Sequence, residues 1–112
     1  MENDYHKRNQ RIIEYPYEQV FNGMISTLLH LSMSIRSADK TAGKIIANLE
    51  MQPPLSEEQI NFTLKKTDNQ STLISLASTS YFGLDIFKMM RHIKYFDKII
   101  RQLMTDFDDE SR

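Results

Sequence analysis

The chain has 112 residues, of which 40% are apolar and 26% are charged, as expected of one globular domain with its own core. It contains no cysteine, which excludes disulfides, thiolate metal sites and a cysteine nucleophile. The formal net charge is −1, so the charge of the whole chain favours neither nucleic acid nor a membrane surface as a partner.

The first predicted elements are a short strand and an amphipathic helix. Residues 11–15 alternate as a strand does, and Pro16 ends the strand because proline has no N–H for the ladder. Over Tyr17–His30, apolar residues recur every three or four positions, which predicts a helix. Gly23 lies inside this helix, and we interpret it as the point at which the helix approaches the sheet closely.

Four further strands are predicted where apolar and polar residues alternate. They cover residues 31–36, 44–51, 59–66 and 72–80. Asp39, Lys40 and Gly43 supply turn residues after the first of these strands, and Asp68 begins the turn before the last. Because short turns join consecutive strands, we expect these strands to pair antiparallel.

The last predicted element is a long helix over residues 85–107, with Asp85 as its N-terminal cap. Its apolar residues form one stripe along the helix: Ile86, Met89, Ile93, Phe96, Ile100, Leu103 and Phe107. Such a stripe needs a cover, and a sheet with one apolar face supplies it. The sequence therefore predicts an α+β, two-layer fold in the order β-α-β-β-β-β-α, with an antiparallel five-stranded sheet and both helices on one face.

No catalytic, cofactor-binding or metal-ligating group is expected. The histidines His6, His30 and His92 show no ligand spacing, and we interpret His92 as a histidine at the surface or at the boundary of the core. The three glycines are scattered, so there is no phosphate-binding loop, and no nucleophile elbow surrounds a serine. We therefore expect a protein that is not an enzyme and that uses no cofactor.

Four cations form a basic ridge beside the apolar stripe of the long helix: Arg91, Lys94, Lys98 and Arg101. Such a ridge can hold phosphate, nucleic acid or an acidic partner. The alternative is a solvated face, in which Asp97 pairs with Lys94 and Arg101 at helical spacing. Aromatic residues do not interleave with these cations, which argues against nucleic acid.

A pocket for a small apolar ligand is a second hypothesis. Tyr81 and Phe82 lie between the last strand and the long helix, where aromatic side chains either line the mouth of a cavity or plug the end of the core. The candidate lining residues are Phe82, Met89, Met90 and Phe96. The seven methionines suit both an adaptable core and a plastic ligand pocket.

One stretch resembles a known family. Val20 and Phe21 open a helix, and a strand-like run is followed by Asp39, small residues, Gly43 and two isoleucines. This order resembles the repeated domain of the BamC-type lipoproteins of the outer-membrane assembly machinery, residue by residue over 20–46 and element by element over most of the chain. The resemblance implies a helix-grip fold, in which a long C-terminal helix lies across a curved antiparallel sheet, and a non-enzymatic role in assembly or binding. Because the chain has no cysteine to lipidate, we carry over the fold alone.

The preferred interpretation is a non-catalytic interaction or assembly module, one domain over residues 1–112 with tails at about 1–9 and 108–112. Its contact surface would be the open face of the sheet, a sheet edge or the basic ridge, and its partner another protein or a second copy paired through an edge. The alternatives are the apolar-ligand binder and a weak contact of the ridge with nucleic acid or phosphate. No apolar run approaches about 20 residues, so we expect no transmembrane segment and a soluble cytoplasmic protein, or one whose leader is missing from the given sequence.

Overall fold

The structure, a computed structural model, describes residues 9–49, 58–76 and 86–110, with the backbone alone at 86–88. It confirms the predicted α+β class and order of elements. The elements are β1 (Gln10–Ile13), α1 (Tyr17–His30), β2 (Ser34–Asp39), β3 (Lys44–Leu49), β4 (Glu58–Asp68), β5 (Ser71–Leu76) and α2 (Ile86–Glu110). The long C-terminal helix is the arrangement that the family resemblance implies, while the resemblance itself stays a prediction.

The described strands form one antiparallel sheet in the order β1-β5-β4-β3-β2. Strands β2 to β5 are neighbours in chain order, as expected when short connections join antiparallel strands. Among the described strands, β1 and β2 are the edges of the sheet. On β2 the register shifts between Ile35 and Ser37, and an irregularity of this kind hinders pairing with another strand edge.

One face of the sheet is buried, and both helices pack against it. Ile45, Phe62 and Leu76 lie side by side across three strands, and each is at most 3% exposed. The Phe96 ring of α2 packs on this row, with its centroid 6.2 Å from that of Phe62. Val20 of α1 is fully buried in the same cluster. The apolar stripes of both helices and the apolar face of the sheet therefore form a single core.

The helices α1 and α2 meet at Gly23, which corrects the predicted role of this glycine. A Cβ atom placed on Gly23 would lie 2.7 and 2.8 Å from two ring carbons of Phe107 and 3.1 Å from a methyl carbon of Leu103. Both neighbours belong to α2, so the close approach is between the helices and not between α1 and the sheet. The prediction was wrong because it treated each helix as packing on the sheet alone, whereas helices on one face also meet each other.

The C-terminal part of α2 is tied to α1 through Asp106. The Asp106 carboxylate accepts hydrogen bonds from the Thr27 hydroxyl at 2.8 Å and from the Gln102 amide at 2.9 Å, and His30 Nδ1 lies 3.5 Å away. Burial raises the pKa of Asp106, but the hydrogen bonds and His30 together outweigh burial and hold that pKa below its ordinary value. The helix continues to Glu110, beyond its predicted end and into the predicted tail.

The N-terminal residue of the described chain also belongs to the fold. Asn9 was predicted to lie in a tail, but it is 6% exposed. Its carbonyl accepts the Leu76 N–H at 2.9 Å, and its side-chain amide donates to the Leu76 carbonyl at 3.5 Å. Asn9 therefore extends the pairing of β1 with β5.

Strand β2 begins at Ser34, later than predicted, because the residues before it end α1. Ser32 has a positive φ of 63°, and its N–H donates to the Leu29 carbonyl at 3.0 Å. The Met33 N–H donates to the Leu28 carbonyl at 3.0 Å. This pair of hydrogen bonds is a Schellman motif, which ends a helix with one residue in the left-handed region. The apolar–polar alternation at this point mimicked a strand.

The turn between β2 and β3 forms as the turn residues predicted. The Asp39 carboxylate accepts the Ala42 N–H at 3.0 Å, and the Asp39 carbonyl accepts the Gly43 N–H at 2.8 Å. Gly43 has a φ of +71°, and its carbonyl accepts the Leu64 N–H at 2.7 Å. A Cβ atom here would collide with the Leu64 carbonyl oxygen, so only glycine fits where the turn meets β4.

Candidate functional site

The open face of the sheet is the first candidate surface. Residues opposite each other in the register share a face, so the face turned away from the core can be read across all five strands. Over most of this face the side chains are uncharged, and all of them except the buried Asn48 are at least partly exposed: Gln10, Ile12, Ser34, Ser37, Ile46, Asn48, Gln59, Asn61, Thr63, Leu73 and Ser75. Protein surfaces usually mix charges of both signs, whereas the centres of interfaces are depleted of charge.

The charged residues that the register places on this open face, Asp39, Lys44 and Lys65, lie together at the end nearest the β2–β3 turn, while exposed Arg36 lies at the irregularity of edge strand β2. Asp39 pairs across strands with Lys44, and Lys65 lies opposite Leu73. Ile12 lies on the other side of Leu73, with 64% of its surface exposed. The uncharged area therefore has amides and hydroxyls in its middle and an apolar pair at the β1–β5 edge.

The predicted basic ridge lies on the side of α2 that is turned away from the core. Lys94, Lys98 and Arg101 are exposed. Arg91 is less so, because its guanidinium bonds the Glu58 carboxylate, with Nη2 2.9 Å from Oε2. Three of the four predicted ridge residues are thus available to solvent, and the fourth is engaged with the start of β4.

Asp97, the acidic residue inside the ridge, is paired with the sheet and not with the ridge. It forms an ion pair with Arg11 of β1, whose guanidinium carbon also lies 5.4 Å from the Phe96 ring centroid. The predicted pairing of Asp97 with Lys94 and Arg101 is therefore replaced by a contact between α2 and the sheet. In the part of the chain that the structure describes, Lys94 and Arg101 form no ion pair.

An open groove of about 500 Å³ runs along this side of α2. Its described lining residues are Arg91, Lys94, Tyr95, Asp97, Lys98 and Arg101. The ammonium group of Lys98 lies 6.0 Å from the Tyr95 ring centroid, which is within the range of a cation–π contact. All four residues of the basic ridge line this groove, and Tyr95 lies among them, which corrects the expectation that no aromatic residue interleaves with these cations.

His92 is buried, at 3% exposure, which corrects its interpretation as a surface or boundary residue. Its Nε2 lies 2.5 Å from Glu58 Oε1, and the same carboxylate holds Arg91. A carboxylate beside an imidazole is also the arrangement of a general base, but substrate in solvent has little access to a ring this deeply buried. We interpret the contact as an anchor between the start of β4 and α2. The sequence alone does not reveal this contact, because Glu58 and His92 are 34 residues apart.

Of the four predicted ligand-pocket residues, the three that the structure describes do not converge on one cavity. Phe96 is fully buried in the core, Met89 is partly buried against it, and Met90 is 56% exposed. Phe82 lies outside the described residues. Met89 and Met90 are consecutive on a helix and therefore point about 100° apart, so they do not line one cavity beneath it.

A second groove, of about 470 Å³, lies beside the β2–β3 turn and the start of α1. The Tyr17 hydroxyl lines it and donates a hydrogen bond to the Lys40 carbonyl at 2.5 Å. Burial, and after it the charge of Asp39, raises the pKa of Tyr17. Lys40 is paired with Glu18, 3.6 Å away. These contacts hold the β2–β3 turn against the start of α1, and we interpret the groove as the surface depression where the turn and the helix meet.

Neither the models of known protein families nor the curated proteins compared with this chain gave a match. Among residues 9–49, 58–76 and 86–110, no group of His, Asp and Glu side chains is placed to hold a metal ion. Within the same residues, neither helix combines the length and the hydropathy needed to cross a membrane. In the described part of the chain, the candidate contact surfaces are the open sheet face and the outward side of α2.

Proposed function

We propose that this domain is a non-catalytic protein-interaction module whose contact surface is the open face of the sheet. The observation that supports the proposal is the run of uncharged side chains across all five strands of this face. Association removes water from the surface, and charged groups cost the most to desolvate. A face of amides, hydroxyls and a few apolar side chains is inexpensive to dehydrate and still offers hydrogen bonds to a partner.

The chemistry of the face indicates the kind of partner. Thr63 and Ser75 lie opposite each other in its middle, next to Asn61. Ile12 and Leu73 form its apolar corner. A protein surface with matching polar groups and an apolar side chain for this corner fits better than a polyanion, which would meet few positive charges here.

Site-specific photo-cross-linking in the native cell extract tests the proposal. A photoreactive residue at position 61, in the centre of the face, should give a discrete adduct with one partner protein. The same residue at position 19, on the exposed side of α1, is the matched control and should give no such adduct. Thr63→Arg should abolish the adduct because it buries an unpaired charge in the interface, whereas Gln19→Arg should leave it unchanged.

Two outcomes would refute this function. Adducts that form equally at positions 61 and 19, or at neither, would remove the sheet face as the contact surface. Robust turnover of generic ester, phosphate or peptide substrates by the purified protein, lost in His92→Ala while the fold persists, would show an enzyme instead.

A further inference from the structure

The outward side of α2 is a surface whose chemistry differs from that of the sheet face. Met90, Lys94, Lys98, Arg101 and Met104 follow one another at steps of three or four residues, so they share one side of the helix. Met90 is 56% and Met104 39% exposed. At about 1.5 Å per residue the two methionines lie about 21 Å apart, with the three cations between them. We call these five residues the α2 stripe.

The cations of the α2 stripe are not neutralised within the described chain. The nearest acidic side chain on the helix, Asp97, is paired with Arg11. Lys94, Lys98 and Arg101 form no ion pair with any described carboxylate. Three like charges within about 10 Å repel one another, and a bound anionic group would relieve that repulsion.

We infer that the α2 stripe binds an acidic segment of a partner protein, with its carboxylates against Lys94, Lys98 and Arg101 and an apolar side chain over each methionine. The open groove of about 500 Å³ along this side of α2 provides room for such a segment. Methionine side chains are flexible and polarisable, so they adapt to apolar partners of different shape. This surface is separate from the proposed contact face of the sheet and goes beyond that function.

The exposed side chains of Met90 and Met104 favour a protein over a nucleic acid as the molecule that binds the α2 stripe. A single-stranded nucleic acid gains much of its affinity by stacking bases on successive aromatic rings. Tyr95 is the aromatic residue in the described lining of the groove, and Lys98 already lies on its ring. Exposed thioethers at both ends of a row of cations offer nothing to a phosphate backbone, whereas they suit apolar residues that flank an acidic segment.

The test uses a fluorescent synthetic helical peptide and measures binding by anisotropy. Its glutamates copy the spacing of Lys94, Lys98 and Arg101, and a leucine lies beyond the glutamates at each end. One control peptide has glutamine for each glutamate, and another has serine for each leucine. A single-stranded DNA oligonucleotide is the competing probe. Binding of the acidic peptide should weaken as salt rises from about 50 mM to about 200 mM.

Matched variants locate the binding. The triple variant Lys94→Gln, Lys98→Gln, Arg101→Gln should weaken peptide binding about tenfold or more, since each exposed ion pair contributes modestly. The triple variant Lys44→Gln, Lys65→Gln, Lys66→Gln removes the same charge from the sheet and should change affinity less than about twofold. The double variant Met90→Ser, Met104→Ser should lose about tenfold. All these positions are exposed, so circular dichroism should show an intact fold.

Three results would overturn the inference. No saturable binding of the acidic peptide at low salt would remove it. Equal losses in the two lysine-containing triple variants would show that only overall charge matters. Tighter binding of the DNA than of the peptide, sensitive to the cations but not to Met90 and Met104, would make nucleic acid the occupant. None of these results bears on cross-linking at the sheet face.

Discussion

Substituting Gly23 by alanine measures the packing of the two helices directly. In a solvent-exposed helix this change stabilises a protein by about 1 kcal/mol, because glycine is a poor helix former. Here the new Cβ would lie 2.7 Å from the Phe107 ring, which is closer than side chains normally approach. We therefore expect two opposing effects at one position, and the distances decide which is larger.

The clash cannot be relieved by a small movement of Phe107. Its ring is 3% exposed and packs with its centroid 4.5 Å from that of Tyr15. Overpacking in a close-packed core costs about 1–3 kcal/mol. After the gain of about 1 kcal/mol in helix propensity is subtracted, Gly23→Ala should lower the free energy of unfolding by about 0–2 kcal/mol instead of raising it. The assay is urea unfolding followed by circular dichroism at constant slope m.

A double-mutant cycle separates the clash from other effects of alanine. Phe107→Leu alone should cost about 1–2 kcal/mol. In that background Gly23→Ala should be neutral or stabilising, because the ring carbons that it meets are gone, and the coupling energy should be about 1 kcal/mol or more. Asn22→Ala, at an exposed position of α1, is the control for propensity alone. A stabilisation of about 1 kcal/mol by Gly23→Ala with Phe107 present would refute the helix contact.

The remaining predictions concern single contacts, each measured by urea unfolding. Ser32→Gly should stabilise by about 0.5–1 kcal/mol, because Ser32 has a φ of 63°. Gly43→Ala should destabilise by about 2 kcal/mol or more, because its φ is +71° and a Cβ would meet backbone. Glu58→Gln should cost about 2 kcal/mol, because it removes the charged partner of buried His92. Asp106→Asn should destabilise at neutral pH, and its difference from the wild type should shrink as the solution is acidified.

The sign of the last effect follows from the pKa of Asp106, which lies below its ordinary value in the folded chain. Its stabilising contribution is complete above the pKa of the unfolded chain and is lost as pH falls through the lower folded value. A difference between Asp106→Asn and the wild type that stays constant with pH would contradict this.

Glu18→Gln, at an exposed ion pair, is the control for Glu58→Gln and should change stability by less than about 0.5 kcal/mol.

Patterns that depend on one element were readable from the sequence. The helix α1 has its predicted bounds, since Pro16 precedes its first turn and its apolar residues keep one period. In the apolar stripe of α2, the predicted residues Ile93, Phe96, Ile100, Leu103 and Phe107 are buried, because burial on a long helix repeats many times. The bounds of β2 were wrong because the Schellman motif that ends α1 places an ordinary serine, and no glycine, in the left-handed region.

Contacts between distant elements were not readable in the same way. The partner of Gly23 depends on which helix lies beside α1, and the partner of His92 depends on where β4 begins. The ion pair of Asp97 with Arg11 replaced a local pairing that looked adequate from helical spacing alone. The uncharged outward positions could be read from the alternation of each strand. They combine into one surface only when the register of all five described strands is known.

The two proposed surfaces lie on opposite sides of a two-layer domain. The open sheet face is one outer surface, and the α2 stripe is on the side of the helix layer turned away from the sheet. Between them lies a close-packed core in which Phe62 and Phe96 are at most 1% exposed. The two surfaces share no residue, so a partner confined to one of them leaves the other accessible. Such a domain would link two proteins, and saturation with the acidic peptide should leave the yield of the cross-link at position 61 unchanged.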